Sequence, residues 1–382
     1  TQDENGVTAR IKTVAGESQT VVGKYLVGCD GASSPVRHGL GLTFEGSTFE
    51  RLFYVADARV DWELSHKALH VCLARDVFTA FFPMKGENRY RIVGTFPESK
   101  NAEQGEVLYE EIEQQIKDEA KLSLDISDVR WFSLYKVHSR RVNKFSEGRC
   151  FLAGDSAHIH SPAGAQGMNT GIGDAYNLAW KLAMVIKGFA AESILDTYNE
   201  ERLANAKRLL ESTDRIFEFA AGSNWLLSLF RTTIFPTVAG YMTSIDAVRK
   251  RLFPLISQIG ITYRDQTLSQ HTGDETENVQ AGDRLPYFAV NGQSIFDKLK
   301  EPKFHLLVFS NGEHDSLCEQ FVREFGHVAD CHVVPMDARV REIFKKENDF
   351  IVLLRPDNHI AFISSDISLD AARDYLKRIA ER

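Results

Sequence analysis

The sequence of 382 residues has no Cys-x-x-Cys pair and no long block of lysine and arginine. It also lacks the ~20-residue apolar run that a lipid-spanning helix needs. Each absence removes a class of function. The five cysteines, at 29, 72, 150, 318 and 331, are scattered without metal-ligand or redox spacing. They read as free thiols in a reducing, cytoplasmic compartment, which argues against a zinc site or a dithiol oxidoreductase. The most apolar stretch, Trp225 to Met242, is interrupted by Arg231 and Pro236 and is expected to form a buried or interface helix pair. A formal net charge of −8 without a basic patch makes nucleic acid an unexpected partner. The polar opening Thr1 to Gly6 lacks the charged-then-apolar order of a signal peptide, and no internal repeat stands out. Histidines at 38, 66, 70, 138, 158 and 160 match no ligand spacing, so no metal is expected.

What is present is ordinary globular composition, 43% hydrophobic and 26% charged, in a chain long enough for more than one core. Alternation from Val7 to Val14, then Val21-Val22 and Tyr25-Leu26-Val27, predicts strands that end on Cys29-Asp30-Gly31. Short β runs follow between 44 and 140, with a helical stretch near 106–120. Cys150 to Ala153 predicts a compact buried strand, and apolar residues at 172, 175, 178, 179, 182, 183 and 186 predict a helix beginning near Ile172. Residues 193–270 are helix-rich. A last unit has strands at 304–309 and 331–335, helices at 313–325 and near 338–346, a hairpin across 350–364 turning at Pro356-Asp357-Asn358, and a helix at 368–381. That order predicts a thioredoxin-like domain without its redox pair, because Cys318 and Cys331 fall far apart on different elements. The fold class expected is a multidomain mixture of α/β and α+β. Its parts are 1–43 with 141–192, a β-sheet part at 44–140, a helical region at 193–276, and 277–382.

Two strings carry chemistry. A buried strand ending on Gly154-Asp155 puts a carboxylate at a sheet edge, where it suits sugar-like hydroxyls. Glycines at 164, 167 and 171 let backbone approach a flat ligand, and the helix that follows turns free N–H groups and the positive end of its dipole toward an anion. Earlier, Asp30-Gly31 closes a strand and Arg37 follows it; alone these read as a turn and a surface charge.

The run Leu152 to His158, with Gly164-Ala165-Gln166-Gly167-Met168-Asn169, resembles the second flavin motif of the class A FAD-dependent aromatic monooxygenases, the phenol hydroxylase and pentachlorophenol monooxygenase branch. Tyr25 to Arg37 is similar to the Asp-Gly motif of that family, associated with FAD and NADPH. Leu195 to Arg202 looks like its Leu-x-x-Tyr-x-x-Glu-Arg helix, a structural element, and Leu354 to Ala361 resembles its Arg-Pro-Asp-Gly hairpin with Asn358 in place of glycine. The resemblance implies a para-hydroxybenzoate-hydroxylase-like flavoprotein fold. Asp155 would bind the ribityl chain, and Gly154, Gly164 and the amides of Gly167, Met168 and Asn169 would hold the flavin edge. Pro162 would border the reacting carbon, and Asp30, Gly31 and Arg37 would complete the cofactor site, the Arg37 fork on pyrophosphate. It implies that NAD(P)H reduces FAD, that O2 adds as a C4a-hydroperoxide, and that oxygen passes to a small phenolic ring. Phe82 and Met84 of the Phe78 to Met84 run, with His70, are the expected substrate wall.

One part of the family pattern is missing. The fingerprint G-x-G-x-x-G is absent, since Gly171-Ile172-Gly173 has Tyr176 at the third glycine position and no strand before it. The expectation is an N-terminally incomplete flavoprotein that binds FAD weakly alone and pairs with a complementary N-terminal segment or as a homodimer. Two alternatives stay open: an epoxidase or halogenase on the same fold, and a non-catalytic fragment serving binding or dimerisation.

Overall fold

The computed structural model describes residues 1–382 apart from 75–76, 97–108, 121–122, 162–165, 222–227, 247, 249–252, 255–256, 271–277 and 382. The alternating opening folds as β1 (Val7–Lys12) and β2 (Ser18–Gly23), an antiparallel pair. A short strand, β3 (Leu26–Gly28), leads into α1 (Pro35–Gly39). That helix starts where sequence chemistry says it should: Ser34 Oγ accepts the Arg37 N–H, and proline opens the first turn.

The region expected to hold only short β runs contains two long strands, β4 (Phe44–Trp62) and β8 (Leu124–Val142), of 19 residues each. They anchor a six-stranded sheet in the order β11-β8-β4-β7-β6-β5, with β5 (His70–Leu73), β6 (Phe78–Pro83), β7 (Arg89–Thr95) and β11 (His158–Ile159). Register shifts at Thr48/Leu52 and Asp57/Arg59 bend β4 so that the pairing persists, and they break the alternation that would reveal its length. Gly46 has φ +142°, and a Cβ there would fall 2.0 Å from the Ser139 carbonyl oxygen, so only glycine fits. One sheet face packs Tyr54, Phe81, Tyr90 and Ile92 under Ile112 and Ile116 of α2 (Tyr109–Ala120). On the other, Phe53 and Val137 meet Phe217.

The chain then makes β9 (Ser146–Glu147) and β10 (Cys150–Leu152), and β10 pairs parallel with β3 and antiparallel with β9. After β11 comes α3 (Gly167–Ile186), which begins ahead of the expected Ile172. Its glycine-rich first turn carries no apolar periodicity, yet the helix forms because small residues let it pack against the strand end. Next is α4 (Asp196–Ala221), followed after a π-helical turn at Phe230–Ile234 by α5 (Phe235–Ser244). Within the described part of the apolar stretch, Phe230, Ile234, Val238 and Met242 are 41–50% exposed, so the expected burial is not met on that side.

A two-stranded ribbon, β12 (Ala289–Val290) and β13 (Gln293–Ser294), precedes the last sheet. That sheet is built from β14 (Phe304–Phe309), α6 (Asp315–Phe325), β15 (Ala329–Val334), α7 (Ala338–Phe344), β16 (Phe350–Leu354), β17 (Ile360–Ser364) and α8 (Asp370–Glu381). The strand order is β15-β14-β16-β17, with β14 and β15 parallel and the other pairs antiparallel. Asn358 takes φ +61° at the β16–β17 turn, as its replacement of glycine requires. Cys318 of α6 and Cys331 of β15 form a disulfide with Cα atoms 5.2 Å apart. This corrects the reading of both as separated free thiols: α6 folds back along the sheet edge and lies over β15. A single apolar cluster joins Leu152, Leu178 and Trp180 to Phe304, Phe362 and Tyr375, so α3 and the last sheet share a core.

Candidate functional site

Strand β10 is buried along its whole length, and Gly154 ends it at φ +64°. The turn throws Asp155 outward, where its carboxylate is exposed and makes no hydrogen bond among the described residues. The Gly154 N–H donates to Asp174 Oδ2 at 2.9 Å, and a Cβ on Gly171 would sit 3.2 Å from Gly154 Cα. Two glycines therefore bring the strand end against the first turns of α3. No side chain caps α3, and Met168 and Asn169 are exposed at its start. An outward carboxylate thus lies beside a helix terminus whose N–H groups and dipole favour negative charge.

A buried polar network holds this junction. Asp174, fully buried, faces His158 Nε2 at 2.8 Å, and its Oδ1 accepts from Arg202 Nε at 2.6 Å. Burial alone would raise the Asp174 carboxyl, but Arg202, His158 and the Gly154 N–H outweigh it and hold it below its ordinary value. Arg202 also donates to the Tyr263 hydroxyl at 2.8 Å and to the Thr170 carbonyl at 3.2 Å. Its neighbour Glu201 accepts from Arg355, from Lys181 at 2.8 Å and from Asn177 at 2.7 Å. Arg355 in turn grips Asp357, which accepts the Trp180 indole N–H at 3.1 Å. The β16–β17 hairpin is in this way tied to α3 and α4 through charges out of reach of water.

Of the residues singled out in the sequence, Gly154, Asp155, Gly167, Met168 and Asn169 come together at the β10–α3 junction. Pro162 and Gly164 lie outside the described residues. Asp30 is exposed, but its carboxylate serves its own turn, accepting from Ser34 Oγ and the Val36 N–H. Gly31 has φ +81°, with nothing near the place of a Cβ. Arg37 needs correction: it is 2% exposed, its Nη1 and Nη2 donate to the carbonyls of Ser156 and Ala32, and it lies over the Phe44 ring. The fork expected on pyrophosphate is turned into the protein, where two carbonyls take Nη1 and Nη2 and the Phe44 ring lies under it, while Nε is buried without a partner.

Phe82, Met84 and His70 are not brought to the junction. Through the sheet register His70 is level with Ala56 of β4, whereas β11 is level with Gly46. Ten residues of extended strand separate them by roughly 30 Å. His70 instead packs edge-on to Trp62 and hydrogen-bonds the Ser65 carbonyl, and Met84 is exposed.

Ser139 and Asp214 gave no sequence signal, whereas His160 was expected to orient the flavin loop and Ser161 belongs to the string of that loop. Ser139 Oγ donates to Asp214 Oδ2 at 3.0 Å, while Oδ1 of that carboxylate is buried without a partner. Burial raises Asp214 and lowers the nearby His160 imidazole, whose Nε2 also has no partner. Ser161 Oγ is a third such atom. Asp214 sits on α4, the helix that also carries Phe217 of the cluster with Phe53 and Val137.

A strand-end carboxylate, two glycines in contact and an uncapped helix terminus are the features a flavin edge requires. Residues 1–213 match the family model described as FAD binding domain. The chain belongs to the FAD-binding family of class A flavoprotein monooxygenases, is an enzyme of that group, and uses FAD. It is 31% identical over 385 residues to pentachlorophenol 4-monooxygenase of Sphingobium chlorophenolicum, covering 94% of this chain and 69% of that protein. It is 28% identical to 6-methylpretetramide 4-monooxygenase of Streptomyces rimosus, over 91% of this chain and 64% of the other. Among solved structures it resembles the anhydrotetracycline hydroxylase OxyS of Streptomyces rimosus, with a TM-score of 0.74 at 26% identity, covering 100% of this chain and 74% of the other. Among the described residues no helix is long and apolar enough to cross a membrane.

Proposed function

We propose that this chain carries the flavin-edge and substrate parts of an aromatic hydroxylase that puts one oxygen atom of O2 on a phenolic ring with NAD(P)H as reductant. The observation that carries it is the outward, unpartnered Asp155 beside the uncapped start of α3. FAD, when bound, supplies hydride acceptance and oxygen activation. Asp155 would accept hydrogen bonds from the ribityl hydroxyls. The N–H groups of Gly167, Met168 and Asn169 would stabilise negative charge at the pyrimidine edge, and Gly154, with Gly164 of the loop outside the described residues, would leave room for it. Pro162, outside the described residues, would by the family resemblance border the reacting carbon. Asp30 and Gly31 shape the far turn of the cofactor site, and Arg37 positions it from within.

The ring substrate is taken at the junction beside Ser139 and Asp214 rather than at Phe82, Met84 and His70. Asp214 is the group placed to take the phenolic proton: it is raised by burial, steadied by Ser139 and has one free oxygen. We read 1–43 with 141–192 as the FAD part, 44–140 as the substrate sheet, 193–276 as a helical cover, and 277–382 as thioredoxin-like. The β14-α6-β15 unit, the β16–β17 hairpin and α8 support the last assignment.

The test is FAD titration by fluorescence quenching, then phenol-dependent oxygen uptake and product analysis with NADH and NADPH. Phenol-stimulated uptake with a hydroxylated product, lost in Asp214→Asn while FAD binding persists, is the expected result. FAD bound with uptake that ignores every phenol would refute the substrate class.

A further inference from the structure

On the side of α3 away from Gly154, a cavity of about 280 Å³ opens between the helix, residues 257–263 and the β16–β17 turn. Its α3 wall is Asn169, Ile172, Gly173, Tyr176 and Asn177. At about 100° per residue the first four stand roughly half a turn from Gly167, Gly171 and Asp174, which face the strand end, and Asn177 lies between the two faces. The cavity shares Asn169 with the proposed flavin edge, whose contact there is the backbone N–H, and otherwise opens away from the Asp155 side.

Its chemistry is uneven in a useful way. Ile172, Ile261, Tyr176 and Tyr263 give it apolar, partly aromatic walls. Of its charged lining residues, Arg202 is neutralised by Asp174 and Asp357 by Arg355. Arg284 at the rim is exposed and has no ion pair or hydrogen bond through its side chain among the described residues. At the inner end, His359 is only 9% exposed, stacks 4.5 Å from the Tyr263 ring, and has an Nε2 without a hydrogen-bond partner. Asn358 Oδ1 beside it is also buried and unpartnered. Buried polar atoms are nearly always satisfied, so two orphans on one cavity wall point to a ligand or solvent partner.

We propose that this cavity is a second ligand site, on the other face of α3 from Gly154, that takes a small flat organic carboxylate about one ring in size. The carboxylate seats on the Arg284 fork, the flat body lies between the isoleucines and tyrosines, and the inner edge meets His359 and Asn358. The volume falls below the ~300–1,000 Å³ of drug-sized sites, which limits the ligand to that size. Inorganic phosphate satisfies the guanidinium but leaves the apolar walls wet, so it is the weaker anion here.

Calorimetric titration of the full chain without FAD, at fixed ionic strength, tests this with benzoate, benzamide and inorganic phosphate. Benzoate is expected to bind ~10-fold or more tighter than either of the others, because a charge-assisted pair is worth a factor of that order. Arg284→Gln should weaken benzoate by a similar factor, and Ile261→Trp should fill the cavity and abolish the heat. Asp155→Asn should leave benzoate binding as it is. Benzamide or phosphate binding as well as benzoate would overturn the proposal. So would benzoate binding that survives both Arg284→Gln and Ile261→Trp, since that ligand would sit elsewhere. Thermal melts confirm that the variants fold, and Arg284→Gln at the exposed rim decides the matter even if Ile261→Trp does not. The readout needs no FAD, so it fails or succeeds apart from the proposed hydroxylase activity.

Discussion

Replacing Glu201 with glutamine removes one carboxylate from a fully buried cluster in which Arg355, Lys181 and Asp357 meet. Burial opposes the charge, yet Arg355 and Lys181 outweigh it and bring the Glu201 carboxyl from an ordinary 4.5 down to about 2. At 1.36 kcal/mol per unit, that depression corresponds to about 3 kcal/mol of folding stability. Because the folded value is the lower one, this stability is complete above pH 4.5 and drains away as pH falls toward 2. Lys181 contributes with the opposite sign. Burial pushes it from 10.5 to about 8, a cost to folding that is present below pH 8 and relieved as pH rises to 10.5. Glu201→Gln leaves Lys181 and Arg355 adjacent without their shared counter-ion, and removing one partner of a buried pair costs about 3–5 kcal/mol. Urea unfolding at pH 7 measures this, followed by Trp180 fluorescence and far-ultraviolet circular dichroism. Trp180 is a local reporter, because its indole donates to Asp357 and lies 5.4 Å from the Arg355 guanidinium carbon. A loss of at least ~3 kcal/mol at pH 7 that shrinks below pH 4 is expected. A loss under ~1 kcal/mol, or one that is the same at pH 3 and pH 7, would show that these charges do not hold the hairpin to α3 and α4.

Asp155→Asn should weaken FAD binding ~10-fold or more in fluorescence titration, since it blunts an acceptor for the ribityl hydroxyls, while the urea midpoint stays within ~0.5 kcal/mol of the parent because the side chain is exposed. Gly154→Ala should cost about 1–2 kcal/mol from its φ of +64° alone, because the nearest atom to the new methyl, Gly171 Cα, is 3.8 Å away; a neutral result would mean the turn tolerates any residue. Cys318→Ser should lower the stability of the last sheet by about 3 kcal/mol in oxidising buffer, the entropy of opening a loop with sequence separation 13. Adding dithiothreitol should erase the difference between variant and parent, and a difference that persists would assign the effect to packing.

The sequence by itself determined the local pieces. Strand, Gly154-Asp155 and α3 follow one another in the chain, so short-range spacing was enough to order them, and the resemblance of that string to the flavin motif implied the cofactor. Asn358 at the hairpin turn and the strand and helix order of the last sheet were legible for the same reason: backbone preference and apolar period act over a few residues. Tertiary structure alone decided what the charges do. Asp174 finds Arg202 28 residues on, Ser139 finds Asp214 75 residues on, and Glu201 finds Arg355 154 residues on. None of these pairs has a periodic signature, because each is made by burial of elements that meet only in the folded chain. The same holds for Arg37, whose fork turned inward once two carbonyls and the Phe44 ring were there to receive it, and for Cys318 and Cys331, joined when α6 folded back over β15.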